Sequence, residues 1–439
     1  MKTVALVSLG CAKNLVDSEV MLGALKRSGF SLVARPRQAD VVIVNTCGFI
    51  GPARAEAEAA IAEALRHKRR DPRKLVVAAG CYVQRDEAAL KERFPEVDAW
   101  TGVRSFDRIA EIVRGRVPPP GDRTFLYSDR SPRVVSTPGT WAYVKVSEGC
   151  SHRCGFCSIP LIKGPYRSRS VSSVEREVRA LAGLGVREVD LVSHDTTFYG
   201  RDRGAKDGLA RLLERLIPIR GLEWIRFLYG YPEEVTDRLL DVMTETKVCR
   251  YLDIPFQHAD PGLVRAMKRG MDGAKALELL AMIRGRVPGV AVRTSLIVGF
   301  PGEGRREFAS LLRFVEKARF DHLGVFTYSP ERGTDSYGRR ETLSAAEKER
   351  RRSEVMALQA ELSLARNRSY IGLTLEVLVE KTSGAGGHRI FGRTRFQAPE
   401  VDGQVSLTRM GRPQPPLKPI VRAVITGAGP YDIRGRIIG

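Results

Sequence analysis

Residues 141–160 read WAYVKVSEGCSHRCGFCSIP. Trp141–Val146 has the composition of a short strand, and Cys150, Cys154 and Cys157 follow it as C-x3-C-x2-C. Three thiols this close in a loop can wrap one metal centre, and thiolate is the preferred ligand of iron–sulfur clusters. A cubane cluster has four irons, so three ligands leave one iron open to a small molecule, as the open position does in catalytic zinc sites. The competing reading is a zinc site completed by His152, which lies between the cysteines, an awkward place from which to close a tetrahedron with all three.

Downstream of this loop the chain alternates strand and helix. Val174–Leu184 reads as a helix and Glu188–Ser193 as a strand; Trp224–Tyr229, Tyr251–Pro255, Val292–Val298 and His322–Tyr328 continue the strands, with amphipathic helices between them. Repeated β-α units over about 200 residues predict a full or partial barrel, closed by one long charged helix over Leu343–Arg368.

Upstream, Thr3–Ser8 (TVALVS), Val41–Thr46 (VVIVNT) and Lys74–Ala79 (KLVVAA) are Val-rich runs of the kind buried in parallel sheets. Helical Asp17–Ser28 and Ala53–His67 separate them, which makes an α/β domain over residues 1–117. Pro118–Gly121 (PPPG) opens a polar, turn-rich stretch read as a linker over 118–135, and the second unit then spans 136–368. From 369 to 439 the pattern changes to short strands and Gly/Pro turns, at Thr374–Val379, Gln404–Leu407, Ile420–Thr426 and Tyr431–Arg436, predicting a small antiparallel β-barrel. The fold class is therefore α/β, with a parallel-sheet domain, a central (β/α) partial barrel and a terminal β-barrel.

A second set of cysteines sits on the first domain. Cys11, Cys47 and Cys81, in SLGC, VNTC and AAGC, each fall within three residues after a predicted parallel strand. Ligand sites of open α/β sheets gather at the carboxyl ends of the strands. Neighbouring strands lie about 4.8 Å apart, so three such thiols can converge on one cluster. Singly, each would be read as a buried hydrophobe.

The chain has 439 residues, 43% apolar and 28% charged, which reads as globular. No apolar run approaches the ~20 residues of a membrane span, and Thr3–Ser8 is too short for a signal peptide, so a cytoplasmic protein with no membrane partner is expected. Seven cysteines, an odd number, point to metal or redox chemistry and not to a disulfide framework. The net charge of +21 suits an anionic partner such as RNA or a ribonucleoprotein, or else a solvated Arg-rich surface. The last barrel is mildly basic, with ten Lys/Arg against five Asp/Glu over 371–439.

C-x3-C-x-aromatic-C after a strand, with Phe156 in the aromatic place, resembles the signature of the radical S-adenosylmethionine (radical-SAM) superfamily. The resemblance implies that the open iron chelates S-adenosylmethionine, whose reductive cleavage gives a 5′-deoxyadenosyl radical. Ile297–Glu303 (IVGFPGE) resembles the superfamily's late strand-to-loop element, which implies cofactor contacts for Phe156, Gly299, Pro301 and Gly302. With the N-terminal cysteine set and the terminal barrel, the whole chain resembles the methylthiotransferase family, whose last domain is an RNA-binding-type TRAM barrel. Two 4Fe-4S clusters are then implied: Cys150, Cys154 and Cys157 hold the radical-generating one, and Cys11, Cys47 and Cys81 the one that carries the inserted sulfur.

Within that family, Ser8–Met21 (SLGCAKNLVDSEVM), Val44–Ile50 (VNTCGFI), Ser193–Gly200 (SHDTTFYG), Phe227–Pro232 (FLYGYP), Tyr251–Ala259 (YLDIPFQHA) and Gly392–Gly403 (GRTRFQAPEVDG) resemble the branch that modifies an aspartate of small-subunit ribosomal protein S-twelve. That branch implies the ribosomal protein or the small subunit as partner, an rRNA contact through the TRAM barrel, and a flavodoxin or ferredoxin as electron donor. The tRNA-adenosine branch is the first alternative, and an RNA-binding protein with purely structural clusters the second. His194 and Gln397 depart from the branch, which usually has Gln and Asp there. Cys249 reads as a core thiol. Gln257 and His258 are candidates for the barrel mouth or for structural hydrogen bonds, Asp195, Thr196 and Thr197 for the substrate pocket or a cap, and Arg167 and Arg169 for gripping a carboxylate or for surface charge.

Overall fold

The computed structural model describes residues 1–116, 119, 121–383, 389–409 and 417–438. In the first unit Thr3–Ser8 (β1), Ser31–Leu32 (β2), Val41–Thr46 (β3), Leu75–Gly80 (β4) and Ala99–Thr101 (β5) form one parallel sheet, ordered β2-β1-β3-β4-β5. The edge strands β2 and β5, two and three residues long, are too short for hydrophobic periodicity to reveal. All six residues of β3 are buried. Ala12–Arg27 (α1) and Ile109–Val113 (α4) cover one face of the sheet; Gly51–Arg70 (α2) and Cys81–Arg93 (α3) cover the other. Burying each Val or Ile of such a strand contributes about 1.5–3 kcal/mol.

In the second unit Trp141–Lys145 (β6) leads into a small hairpin of Ser147–Glu148 (β7) with Arg167–Ser168 (β8). Glu188–Val192 (β9) and Trp224–Phe227 (β10) add to β6 in parallel. Tyr251–Asp253 (β11), Ala291–Val298 (β12) and His322–Thr327 (β13) form a second parallel set, drawn to the first by a bridge between Ile225 and Val248. Among the described residues β6 and β13 do not pair, so the barrel is partial. Ala142, Val144, Val189, Leu191, Ile225 and Phe227 turn outward into one apolar core with the helices, including Val355 of the closing helix Ala345–Arg368. No described helix is long and apolar enough to cross a membrane.

The third unit is a closed barrel of Thr374–Ser383 (β14), Arg389–Arg393 (β15), Val405–Thr408 (β16), Ile420–Ala428 (β17) and Ile433–Ile437 (β18), ordered β14-β15-β16-β18-β17. Four pairings are antiparallel and β16–β18 is parallel, a departure from the all-antiparallel expectation. Its loop from Arg393 to Asp402 plugs the partial barrel at the starts of the strands. Arg393 pairs with buried Glu188 at 2.6 Å, Arg226 donates to the Arg395 carbonyl, and the Tyr251 hydroxyl donates to Asp402 at 2.6 Å. Gln397, one of the two departures from the branch, is buried inside this contact. Its Oε1 accepts from the Thr394 amide and hydroxyl, the acceptor role a carboxylate would fill.

The segment expected to be a linker is packed where it is described; Val117, Pro118 and Pro120 lie outside the described residues. Its polar residues have partners in place of water. Arg133 joins Glu19 of α1 to Glu177 at 2.6 Å each, and the Tyr127 hydroxyl donates to Glu177. Arg169, one of the two arginines considered for gripping a carboxylate, is consumed in the same cluster: it pairs with Glu177 and lies over the Tyr127 ring. Arg167 donates to the Thr124 carbonyl.

Candidate active site: two facing cysteine trios

Each cysteine of the first domain leaves the sheet at a strand end. Cys47 and Cys81 directly follow β3 and β4, whose last residues Thr46 and Gly80 are register partners, and Cys11 follows β1 by three residues. Cys11 caps α1 and Cys81 opens α3, so both thiols sit at helix N-termini, where the backbone dipole favours an anion. Glycines make the convergence feasible. A Cβ at Gly10 would stand 2.7 Å from the Cβ of Cys47, and one at Gly80 (φ +103°) would stand 2.4 Å from Asn45 Oδ1 and 2.6 Å from the Thr46 carbonyl. Gly80→Ala is therefore expected to cost about 2 kcal/mol or more in left-handed strain and backbone clash, read as a lower unfolding midpoint.

The three thiols lie within electrostatic reach of one another. Burial pushes the Cys47 thiol up to about 11 and the Cys81 thiol to about 12, with neighbouring thiols adding to the shift. In the barrel loop burial likewise raises Cys150 to about 11 and Cys157 to about 12. Without positive charge these groups stay protonated; bound iron would supply that charge and release the protons. Among the described residues no three His, Cys, Asp or Glu side chains close on one point as ligands of a single ion do. With His152 held by Asp195, each trio offers thiolates alone, the donor set of an iron–sulfur cluster.

His152 is committed elsewhere. Its Nε2 meets Asp195 at 2.5 Å and its ring stacks on Tyr231 at 3.8 Å, which takes that nitrogen away from a zinc site. Asp195 also accepts from Thr197 and from the Phe198 amide, and Thr196 donates to the Leu228 carbonyl, so these residues shape the turn after β9. Arg269, which no sequence pattern flags, comes in from the loop after the short helix Pro261–Ala266: it lies over Tyr231, donates to the Pro255 carbonyl at 2.7 Å, and sets Nη1 3.6 Å from the Cys154 sulfur.

Phe156 packs against Ile297, Phe300, Met267 and Tyr328. Gly299 (φ +76°) and Gly302 (φ +97°) need their left-handed backbone, but a Cβ on Gly299 would run into Lys348 of the closing helix at 2.4 Å, so its tight approach is to that helix. Glu303 shapes this loop: Oε2 accepts from the Gly299 amide, and Oε1 pairs with Arg351. His258 is fully buried near Glu303, its Nδ1 accepting from the Asp260 amide; Gln257 (φ +72°) bridges to β12 through backbone bonds. Cys249 is buried in the core beside Trp224 and Tyr251.

Residues that flank the two trios meet across the interface between the first two units. Ser158, next to Cys157, donates to the Phe49 carbonyl two residues past Cys47. Arg85 of α3 donates to the Gly48 carbonyl at 3.0 Å and pairs with Glu331 at 2.7 Å, where Arg54 of α2 also binds. On the other flank α1 lies along β6, and a fully buried square of charge locks it there. Asp17 and Glu148 each face both Lys145 and Lys163, which follows in the short helix Ile159–Lys163 (α5). Glu148 leads directly to Gly149 and Cys150, and Lys163 lies within electrostatic reach of Cys81, so the square sits between the trios.

Family comparison agrees with this architecture. The Uncharacterized protein family UPF0004 matches residues 3–102, the Radical SAM superfamily residues 144–315, and the TRAM domain residues 371–438. The protein called Ribosomal protein uS12 methylthiotransferase RimO in Solibacter usitatus is 44% identical over 99% of this chain and 94% of its own. Its namesake in Desulforamulus reducens is 42% identical over the full length of both, and that of an Anaeromyxobacter species 45% identical over 99% and 93%. Among solved structures, the radical S-adenosylmethionine methyltransferase TsrM from Kitasatospora setae shares the fold, with a TM-score of 0.57 at 16% identity over 88% of this chain and 82% of that one. Matched along essentially its whole length at 42–45% identity, the chain belongs to the ribosomal protein uS12 methylthiotransferase family of radical-SAM enzymes.

Proposed function

We propose that this chain methylthiolates the β-carbon of an aspartate in ribosomal protein uS12, with Cys150, Cys154 and Cys157 holding one 4Fe-4S cluster and Cys11, Cys47 and Cys81 a second. Membership of the radical-SAM superfamily carries with it an iron–sulfur cluster and S-adenosylmethionine; the second cluster is the further reading. When loaded, the barrel-loop site with S-adenosylmethionine supplies a radical for hydrogen abstraction, and the first-domain site supplies methylated sulfur.

The observation that supports this reading is the interface itself: residues that follow Cys47 and Cys157 touch, which brings the two cysteine loops to one boundary between the units. Arg269 offsets negative charge at Cys154. Phe156 and the loop of Gly299, Pro301 and Gly302 form the wall against which S-adenosylmethionine would lie. Arg85 and Arg54, gripping Glu331, hold the two units together. A flavodoxin or ferredoxin would deliver the electron, and the basic TRAM barrel would meet rRNA on the small subunit, all in the cytoplasm.

The substrate is tested by offering anaerobically reconstituted enzyme a uS12 peptide and tRNA separately, then measuring added methylthio mass. The expected result is product on the peptide alone; product on tRNA alone would overturn the assignment.

A further inference from the structure

Lys13 lies two residues after Cys11, in the first turn of α1, and is 7% exposed. Buried ammonium groups are almost always paired. Lys145 and Lys163 nearby obey that rule, each with two carboxylates. Lys13 does not: among the described residues no carboxylate comes within ion-pair distance of it. Its contact is aromatic, Nζ standing 3.2 Å from the centroid of the Tyr229 ring.

The surface beneath it is strained. Tyr229, at the exit of β10, has φ +63°, a left-handed conformation that bulky residues avoid. Two bonds hold it there: its amide donates to Asp253 at 3.0 Å, and its carbonyl accepts from the Thr196 amide at 2.8 Å. Asp253, within electrostatic reach of Lys13, is already engaged by Arg293 and by that amide. His194, also within reach, has a buried Nδ1 without a hydrogen-bond partner. A buried cation with no anion of its own thus sits between the first cysteine trio and the barrel mouth.

We infer that Lys13 is a substrate-binding residue that receives the carboxylate of the target aspartate. The inference rests on the aspartate reading of the preceding section. The carboxylate is one bond from the β-carbon, so pinning it fixes the C–H to be broken. Lying beside Cys11, Lys13 would hold that carbon next to the sulfur-bearing site. It would also let the enzyme refuse asparagine, which offers no charge to satisfy the ammonium. The rival role is counter-ion to iron-bound thiolate at Cys11, and the two roles predict different losses.

The test uses the reconstituted holoenzyme with S-adenosylmethionine and no reductant, so that nothing turns over. Binding of a fluorescent uS12 peptide carrying the target aspartate, and of its asparagine counterpart, is measured by anisotropy for wild type, Lys13→Met and Lys13→Arg. Lys13→Met is expected to weaken the aspartate peptide roughly tenfold to a hundredfold, the worth of a charge-assisted hydrogen bond. The asparagine peptide should bind wild type and variant alike, iron should stay at the wild-type content, and Lys13→Arg should recover part of the loss. Equal weakening of both peptides, no weakening of either, or loss of half the iron would overturn the inference. In the separate turnover assay with reductant, wild-type enzyme that ignores the uS12 peptide and labels tRNA would overturn the substrate reading, and this inference with it; wild-type enzyme that modifies the peptide in that assay, while Lys13→Met binds it normally in the anisotropy assay, overturns the Lys13 role alone.

Discussion

Cys47→Ala is expected to halve the iron of the reconstituted protein and to abolish methylthio transfer, while reductive cleavage of S-adenosylmethionine continues. Cys47 follows the central strand β3, between the strands that deliver Cys11 and Cys81, and its sulfur would lie 3.0 Å from a Cβ placed on Gly10. Removing it leaves two thiols where a cubane needs three, so iron should fall from about eight to about four per chain. The barrel-loop trio is on a separate element and keeps its own ligands and Arg269. Iron quantification, 5′-deoxyadenosine yield and peptide mass together read the outcome. Full iron or residual methylthio product would mean that Cys47 is not a ligand.

Asp17→Ala should be the most damaging single change at the domain interface, costing about 3–5 kcal/mol, the range for stranding buried charge. The square of Asp17, Lys145, Glu148 and Lys163 is electrically balanced and almost wholly excluded from solvent. Without Asp17, two ammonium groups share one carboxylate. The helix that carries Cys11 and Lys13 loses its hold on β6, so denaturant unfolding and iron content should both suffer. Asp17→Asn, which keeps the shape and removes the charge, should cost nearly as much; a loss under about 1 kcal/mol in both variants would show that water reaches the site. The same square sets a pH response. Burial opposes ionisation of Glu148, but Lys145 and Lys163 hold its carboxyl below the ordinary range. Asp17 and Glu148 hold Lys163 well above the ordinary lysine range against its burial. The Glu148 contribution is present above the unfolded carboxyl value and lost as acid protonates it; that of Lys163 is present below the unfolded lysine value and lost only in strong alkali. Stability should therefore be flat near neutrality and fall at both extremes.

Much of this architecture is legible in the residues because local rules and tertiary demands agree. The Val-rich runs of β1, β3 and β4 have one reading, and a cysteine within three residues of each strand end makes topology predict proximity. What stays hidden is what depends on distant partners. Arg133 and Tyr127 look like linker residues until Glu19 and Glu177 arrive from two units. Arg169 looks like an anion grip and is spent on Glu177. Gln397 looks like surface variation and is a buried acceptor. Arg269 and Lys13 belong to no spacing pattern; only the fold shows one beside Cys154 and the other buried without a carboxylate partner among the described residues.

The proposed pair of clusters, one on each trio, is tested most directly by the magnetic coupling expected between them. Electron paramagnetic resonance spectra of the reduced wild type should be compared with those of two triple-alanine variants, one for each trio. Two clusters opening on a shared gap should broaden or split each other's signals, so the wild-type spectrum should differ from the sum of the variants' spectra. A wild-type spectrum equal to that sum would place the clusters too far apart for radical and sulfur to meet at one carbon.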